Sequence, residues 1–151
     1  MLAAIRPDSW NLPLFLHVLG AVCLFGAIAS VLVLGLAAHR NTAGHAPLLA
    51  RVSFWTLVLL ALPAWILMRV GAQLIADKEF PGNTPNPDWL GVGYGVSEGG
   101  LVLLIVLGIL AFFSMRRGGA GRTAAAVPAL AGLYVVALAV AWFAMSGKPG
   151  G

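Results

Sequence analysis

Three ionisable side chains of this sequence stand inside long apolar segments. His17 lies in "LPLFLHVLG", Arg69 in "PAWILMRVGAQLI" and Glu98 in "GYGVSEGG". Ionisable residues inside a bilayer usually turn inward and pair, so we predict a buried ion pair between Arg69 and Glu98. Two alternatives stay open. Arg69 snorkels to the outer headgroups while Glu98 lies at the interface, or the pair only fixes helix register and carries no chemistry.

Residues four positions away extend these candidate sites. Gln73 and Trp65 share a helical face with Arg69, and Tyr94 shares one with Glu98, because residues four apart are neighbours on a helix. A guanidinium in such a setting could pair with an anionic group of a cofactor. The candidate cofactor-binding residues are His17, Met68, Arg69, Tyr94 and Glu98, with His17 also a candidate ligand of haem iron; no catalytic residue is predicted.

The composition is that of a membrane protein. The chain has 151 residues, of which 60% are hydrophobic and only 9% charged. Soluble domains carry roughly 25% charged residues, so this chain could not cover its surface with polar groups. The length predicts a single membrane domain over residues 1–151. A lone cysteine, Cys23, rules out a disulfide within one chain and a cysteine-rich metal site.

Four apolar stretches approach or exceed the roughly 20 residues needed to cross the hydrocarbon core. They cover about residues 12–38, 52–76, 88–115 and 124–145. The third needs extension back to Asp88, because its strongly apolar part is too short, and this extension carries Glu98 into the membrane. Short loops between the spans predict an all-α fold, a transmembrane four-helix up-down bundle.

The basic residues predict the orientation of the bundle. They are concentrated in the first and third loops, which hold no acidic residue, and the positive-inside rule places such loops in the cytoplasm. Both termini are therefore predicted on the outer side of a bacterial inner (cytoplasmic) membrane. The membrane topology accounts for the net charge of +4, so we predict no nucleic-acid partner. The predicted partners are the lipid bilayer and a homo-oligomer or larger membrane complex.

The three ionisable residues lie at comparable depth. At about 1.5 Å per helical residue, His17 lies about 7 Å, Arg69 about 10 Å and Glu98 about 15 Å below the outer surface. The sequence therefore predicts a polar cluster in the outer half of the bundle.

Glycines 91, 95 and 99 recur every four residues and form one stripe of the third helix. Small residues at this spacing let another backbone approach closely, which is the usual packing device of membrane helices. The same stripe would also suit the flat face of a planar cofactor.

The histidines restrict any haem site. His17 and His39 are about 33 Å apart along one helix, so one bundle cannot ligate a haem with both. A pair of His17 with Met68 or Met145 is geometrically possible, because both methionines fall in the outer half.

Four quoted stretches carry a family resemblance: "FLHVLGAVCLFGAIASVLVLGLAAHR", "ALPAWILMRVGAQLI", "PDWLGVGYG" and "SGKPG". They resemble the small four-helix bacterial membrane proteins related to HemJ-type protoporphyrinogen oxidases and CopD-type copper-resistance domains. The resemblance implies that His17 matches the family's early histidine. HemJ-type enzymes are associated with haem b and with a lysine soon after the third-helix Trp-Leu, where this sequence has Gly91 and Gly93. The uncharacterised relatives are therefore the closest likeness.

Three functions follow from these observations. The first is a non-catalytic multi-pass membrane protein or accessory subunit, in which the polar cluster and the glycine stripe set packing or hold a lipid or partner helix. The second is a membrane redox protein with haem b, ligated by His17, with Arg69 on a propionate. The third is a small transporter or proton pathway that uses Glu98 and His17.

Overall fold

The computed structural model describes residues 8–40, 44–79 and 88–147 and shows an all-helical chain. Helix α1 covers Asn11–Arg40 and follows a short 3-10 turn at Asp8–Trp10. Helix α2 covers Ala46–Glu79, α3 covers Asp88–Arg116 and α4 covers Arg122–Gly147. All four are long and apolar enough to cross a membrane, which confirms the predicted four-helix fold and a multi-pass membrane protein.

The helices extend beyond the predicted spans at several ends. Helix α2 begins at Ala46 rather than near residue 52, and Pro47 stands in its first turn, where a proline is well tolerated. Helix α3 begins at Asp88, as predicted. The extensions contain polar or charged residues such as Asn11, Arg51 and Lys78, which hydropathy does not assign to a membrane span.

A π-helical segment, Leu57–Ala61, interrupts α2 near its middle. It leads into Leu62 and Pro63, and the missing N–H of a proline removes one helical hydrogen bond. Wider turns of this kind occur mostly as short interruptions of α-helices and change the direction of the side chains that follow. The segment therefore sets which face of α2 carries Arg69.

The four helices form a ring in which each helix packs against its neighbours, but the contact between α2 and α3 is extensive at only one end. Helix α1 packs against α2 and α4, and α3 packs against α4. Helix α2 meets α3 mainly through residues 46–61, whereas residues 62–79 contact α3 sparingly. We call the end near Asn11 and Gly147 the terminal end and the opposite end, with Arg40 and Arg116, the basic end. The ring is open between α2 and α3 in its terminal half.

The core lies between α1 and the other three helices. Its largest fully buried side chains are Leu24, Ile28, Val31, Leu107 and Tyr134. Many large apolar side chains on the outside are exposed, as is expected where lipid covers the surface.

Two glycines bring α1 and α2 into backbone contact. A Cβ added at Gly20 would lie 2.7 Å from the Ala64 carbonyl oxygen, and one added at Gly71 would lie 2.8 Å from the Pro13 carbonyl oxygen. Small residues allow this approach, and the tight interface follows from them.

The membrane orientation was predicted from the basic residues of the first and third loops, and residues 41–43 of the first loop lie outside the described residues. Placement of both termini on the outer side stays a prediction.

Candidate functional site: a polar cluster between α2 and α3

An ion pair joins the terminal halves of α2 and α3. Arg69 Nε lies 2.9 Å from Glu98 Oε1, so the predicted pairing of these residues is confirmed. Arg69 Nη1 also donates to Gln73 Oε1 at 3.0 Å, and Gln73 Nε2 donates to Asp77 Oδ1 at 2.8 Å. Residues 69, 73 and 77 follow at four-residue intervals, which places them on one face of α2. The face forms a hydrogen-bonded row that leads from Glu98 toward the terminal end.

The pair is more exposed than predicted. The Arg69 side chain is 26% exposed and that of Glu98 is 58% exposed. The expectation of a pair enclosed by the bundle is therefore corrected. Glu98 is exposed because the preceding residue, Ser97, is buried. Successive residues of a helix are turned by about 100°, so Glu98 faces outward. Glu98 thus bridges to Arg69 along the protein surface.

Two aromatic side chains complete the cluster. The Arg69 guanidinium carbon lies 5.0 Å from the centroid of the Tyr94 ring, within the range of a cation–π contact. Trp65 Nε1 donates to the Ser97 carbonyl oxygen at 2.9 Å and adds a second link across the gap between α2 and α3. The sequence placed Trp65 on the face of Arg69, but nothing in the pattern marked Ser97 as its partner.

His17 lies in a different contact. Its Nδ1 is 3.0 Å from the Met68 carbonyl oxygen, at the tight interface of α1 and α2. The ring nitrogen must donate here, because a carbonyl oxygen only accepts. The structure brings Arg69, Tyr94 and Glu98 together, and it brings His17 to Met68; the hydrogen bonds of the described residues do not connect the two groups.

The glycine stripe of α3 faces away from the other helices. No described atom beyond α3's own backbone lies within 4 Å of a Cβ added at Gly91, Gly95 or Gly99. The close contacts of α3 use other glycines: a Cβ at Gly93 would lie 3.2 Å from Met145 Sδ, and one at Gly100 would lie 2.8 Å from Tyr134 Cζ. The predicted stripe therefore exists, but none of residues 8–40, 44–79 and 88–147 packs against it.

Comparisons of the chain with models of protein families, with curated proteins and with solved structures gave no match. Function must therefore be argued from the residues themselves. Within residues 8–40, 44–79 and 88–147, no three His, Cys, Asp or Glu side chains come together as a possible metal site.

The predicted haem ligands fit a haem only in part. The bond from His17 Nδ1 to a carbonyl leaves Nε2 as the nitrogen with a lone pair, which is the usual arrangement of a metal-ligating histidine. Met68 does not fit as the opposite ligand, because the backbones of α1 and α2 touch at Gly20 and Gly71 and leave no space for a macrocycle between them. Met145 packs its sulfur against Gly93 of α3. The contact of α1 with α2 therefore excludes a haem held between His17 and Met68, and haem binding by another arrangement stays a prediction.

A concave surface that the sequence did not indicate lies at the basic end. Its volume is about 590 Å³, and it is lined by the glycine-rich turn between α3 and α4 together with His39 and Arg122. It is open and lies at the opposite end from the polar cluster.

Proposed function

We propose that this protein is a non-catalytic, multi-pass membrane protein that associates with a second copy of itself through the terminal half of α3. The observation that carries the proposal is the open stripe of Gly91, Gly95 and Gly99, next to the exposed Glu98. We further place it in a bacterial cytoplasmic membrane with both termini outside, on the strength of the arginine distribution.

The glycines of the bundle form two groups, those in contact with a neighbouring helix and those without such a contact, and this difference supports the proposal. Gly20, Gly71, Gly93 and Gly100 each stand where a neighbouring helix of the same chain comes close. The three stripe glycines have no such neighbour, although their spacing is the one that membrane helices use for close approach. A glycine stripe on the lipid-facing side can serve close packing only when a helix of another chain covers it.

Charge complementarity favours a second copy as the partner. In an isologous dimer the same patch of both subunits meets about a two-fold axis. Each patch carries one carboxylate, Glu98, and one guanidinium, Arg69, so two patches meet without net charge. Arg69 has donors beyond those engaged with Glu98 and Gln73, since a guanidinium carries five N–H groups. Each arginine therefore keeps N–H groups that are free to donate to the carboxylate of a second copy.

Cysteine cross-linking tests the dimer. In a Cys23→Ala background, Gly95→Cys is expected to give a disulfide-linked dimer in native membranes, because residue 95 would lie on the two-fold axis. Phe143→Cys, at a 76% exposed site on α4, is the control and is expected to stay monomeric. Equal cross-linking at both positions, or none at residue 95, would refute the proposed interface.

A bulky substitution gives the complementary test. Gly95→Ile is expected to convert the purified dimer to monomer in mild detergent, as measured by light scattering. Gly26→Ile is the matched control, because Gly26 is also open on its own helix. Loss of the dimer in both variants would point to a general loss of folding.

The haem alternative is tested by an absorption spectrum. Because the contact of α1 with α2 leaves no space for a macrocycle between His17 and Met68, we expect gently purified protein to show no Soret band in either the oxidised or the dithionite-reduced form. A Soret band with sharpened α and β bands, lost in His17→Ala, would favour haem b and make His17 its ligand. A proton pathway through Glu98 and His17 is not favoured, since their hydrogen bonds lead to Arg69 and to Met68.

A further inference from the structure

Two buried hydroxyl groups belong to the contact of α3 with α4, where Gly93 and Gly100 meet side chains of α4 and Ser97 shares their helical face. Tyr134 on α4 is fully buried and Ser97 on α3 is 9% exposed. Neither Ser97 Oγ nor Tyr134 Oη has a hydrogen-bond partner among the described residues. Buried polar groups in folded proteins are nearly always hydrogen-bonded, so two unpartnered hydroxyls in one place require an explanation.

The serine differs from other serines of the same bundle. Ser30 donates to the Gly26 carbonyl oxygen at 2.7 Å, and Ser53 donates to the Leu49 carbonyl oxygen at 2.9 Å. This bond to the carbonyl four residues earlier is the usual solution for a serine within a helix. Ser97 does not form it, and its hydroxyl stays free for another partner.

Tyr134 Oη reaches α3 one helical turn from Ser97. Tyr134 Oη occupies the place where residue 100 would carry its Cβ, which is why that residue is glycine. Ser97 lies three residues before Gly100, and residues three apart on a helix share a face and carry Cβ positions about 5–6 Å from each other. Ser97 therefore lies within one helical turn of the glycine that Tyr134 Oη contacts. Two hydrogen bonds of about 2.7–2.8 Å each, through one intervening oxygen, can span about one helical turn.

We propose that Ser97 and Tyr134 form a binding site for one water molecule between α3 and α4. Each hydroxyl can donate and accept, so a water oxygen can satisfy both. A buried water typically makes about three such bonds and is costly to remove. The carbonyl of Ser97 also accepts from Trp65 of α2, so the same residue ties α3 to both neighbours. The site thereby fixes the rotation of α3 that directs Glu98 outward. It does not depend on the proposed dimer.

A double-mutant cycle tests this site in the full chain. We expect Ser97→Ala and Tyr134→Phe each to lower the apparent unfolding midpoint by about 2–4 °C. The double variant is expected to fall no further than the larger single effect, because both changes release the same water. Ser53→Ala and Tyr94→Phe are the controls, since the first removes a serine already bonded to its own helix and the second removes a tyrosine hydroxyl elsewhere.

The sign of the effect separates the two explanations. If the hydroxyls are simply unsatisfied, either single change removes a buried polar group without a partner and raises the midpoint. A rise in either variant, or additive effects in the double variant, would overturn the proposal. Infrared spectra in H₂¹⁶O and H₂¹⁸O supply a direct readout. A buried-water O–H stretch that shifts with the isotope and disappears in Tyr134→Phe is expected, and its absence from the unaltered protein would also overturn the proposal.

Discussion

Gly20→Ala is expected to lower the free energy of unfolding by about 3 kcal/mol or more, at the upper end of the range for overpacking. The added methyl group would lie 2.7 Å from both the Ala64 carbonyl oxygen and the Met68 Cα, and closer still to the Met68 nitrogen. All three atoms belong to the backbone of α2, so no side chain can rotate away. The helices must separate, and the contact between Gly71 and His17 would open with them. Chemical unfolding in detergent, followed by circular dichroism, measures the change.

Gly26→Ala is the matched control on the same helix. No described atom beyond α1's own backbone lies within 4 Å of a Cβ at Gly26, so the methyl group meets open space. Alanine favours a helix over glycine by up to about 1 kcal/mol, and the control is therefore expected to be neutral or mildly stabilising. Equal losses at both glycines would show that the contact of α1 with α2 is not what limits stability.

These glycines show what a sequence can and cannot predict. The four-residue spacing of Gly91, Gly95 and Gly99 correctly indicated one face of α3, because helical periodicity determines which residues share a face. The spacing carried no information on what that face meets. Gly20 and Gly71 have no comparable repeat, yet they bring the backbones of α1 and α2 into contact. Which glycine is covered depends on the crossing of two helices, and that is set by the whole interface.

The same distinction holds for the helices and the polar cluster. Apolar length predicted all four helices, because every backbone polar group in a bilayer must be satisfied within its own segment. The cost of a charge in the membrane predicted that Arg69 and Glu98 pair. The exposure of Glu98 was not predictable, since it follows from the rotation of α3 that buries Ser97, and that rotation is set by the packing of the whole helix. The bond from Trp65 to the Ser97 carbonyl was missed because a backbone acceptor leaves no mark in a sequence.

Glu98→Gln is expected to destabilise the protein by roughly 2 kcal/mol in a lipid bilayer and by much less in detergent. The variant keeps the size of the side chain and removes its charge, so Arg69 keeps a hydrogen-bond partner but loses its counter-charge. In a bilayer the guanidinium would then carry a positive charge without a counter-charge, in a place where water is scarce. In a detergent micelle the 26% exposed Arg69 reaches water more easily, which reduces the effect. Thermal unfolding of the same variant in nanodiscs and in detergent measures the difference.

The double variant Arg69→Gln with Glu98→Gln decides whether the lost charge pairing is the cause. Two amides can bond to each other across the gap between α2 and α3, and neither carries a charge, so stability in nanodiscs is expected to recover most of the loss. This follows because removing one partner of an ion pair is costly, whereas replacing both is often close to neutral. Gln73→Ala is a suitable control, because it removes a neighbour of Arg69 without a change of charge. If Glu98→Gln destabilises equally in both environments, or the double variant fails to recover, Glu98 acts through packing and not through its charge. Recovery in the bilayer alone would establish the pair as an adaptation to the membrane, since only there does an uncompensated arginine carry a large cost.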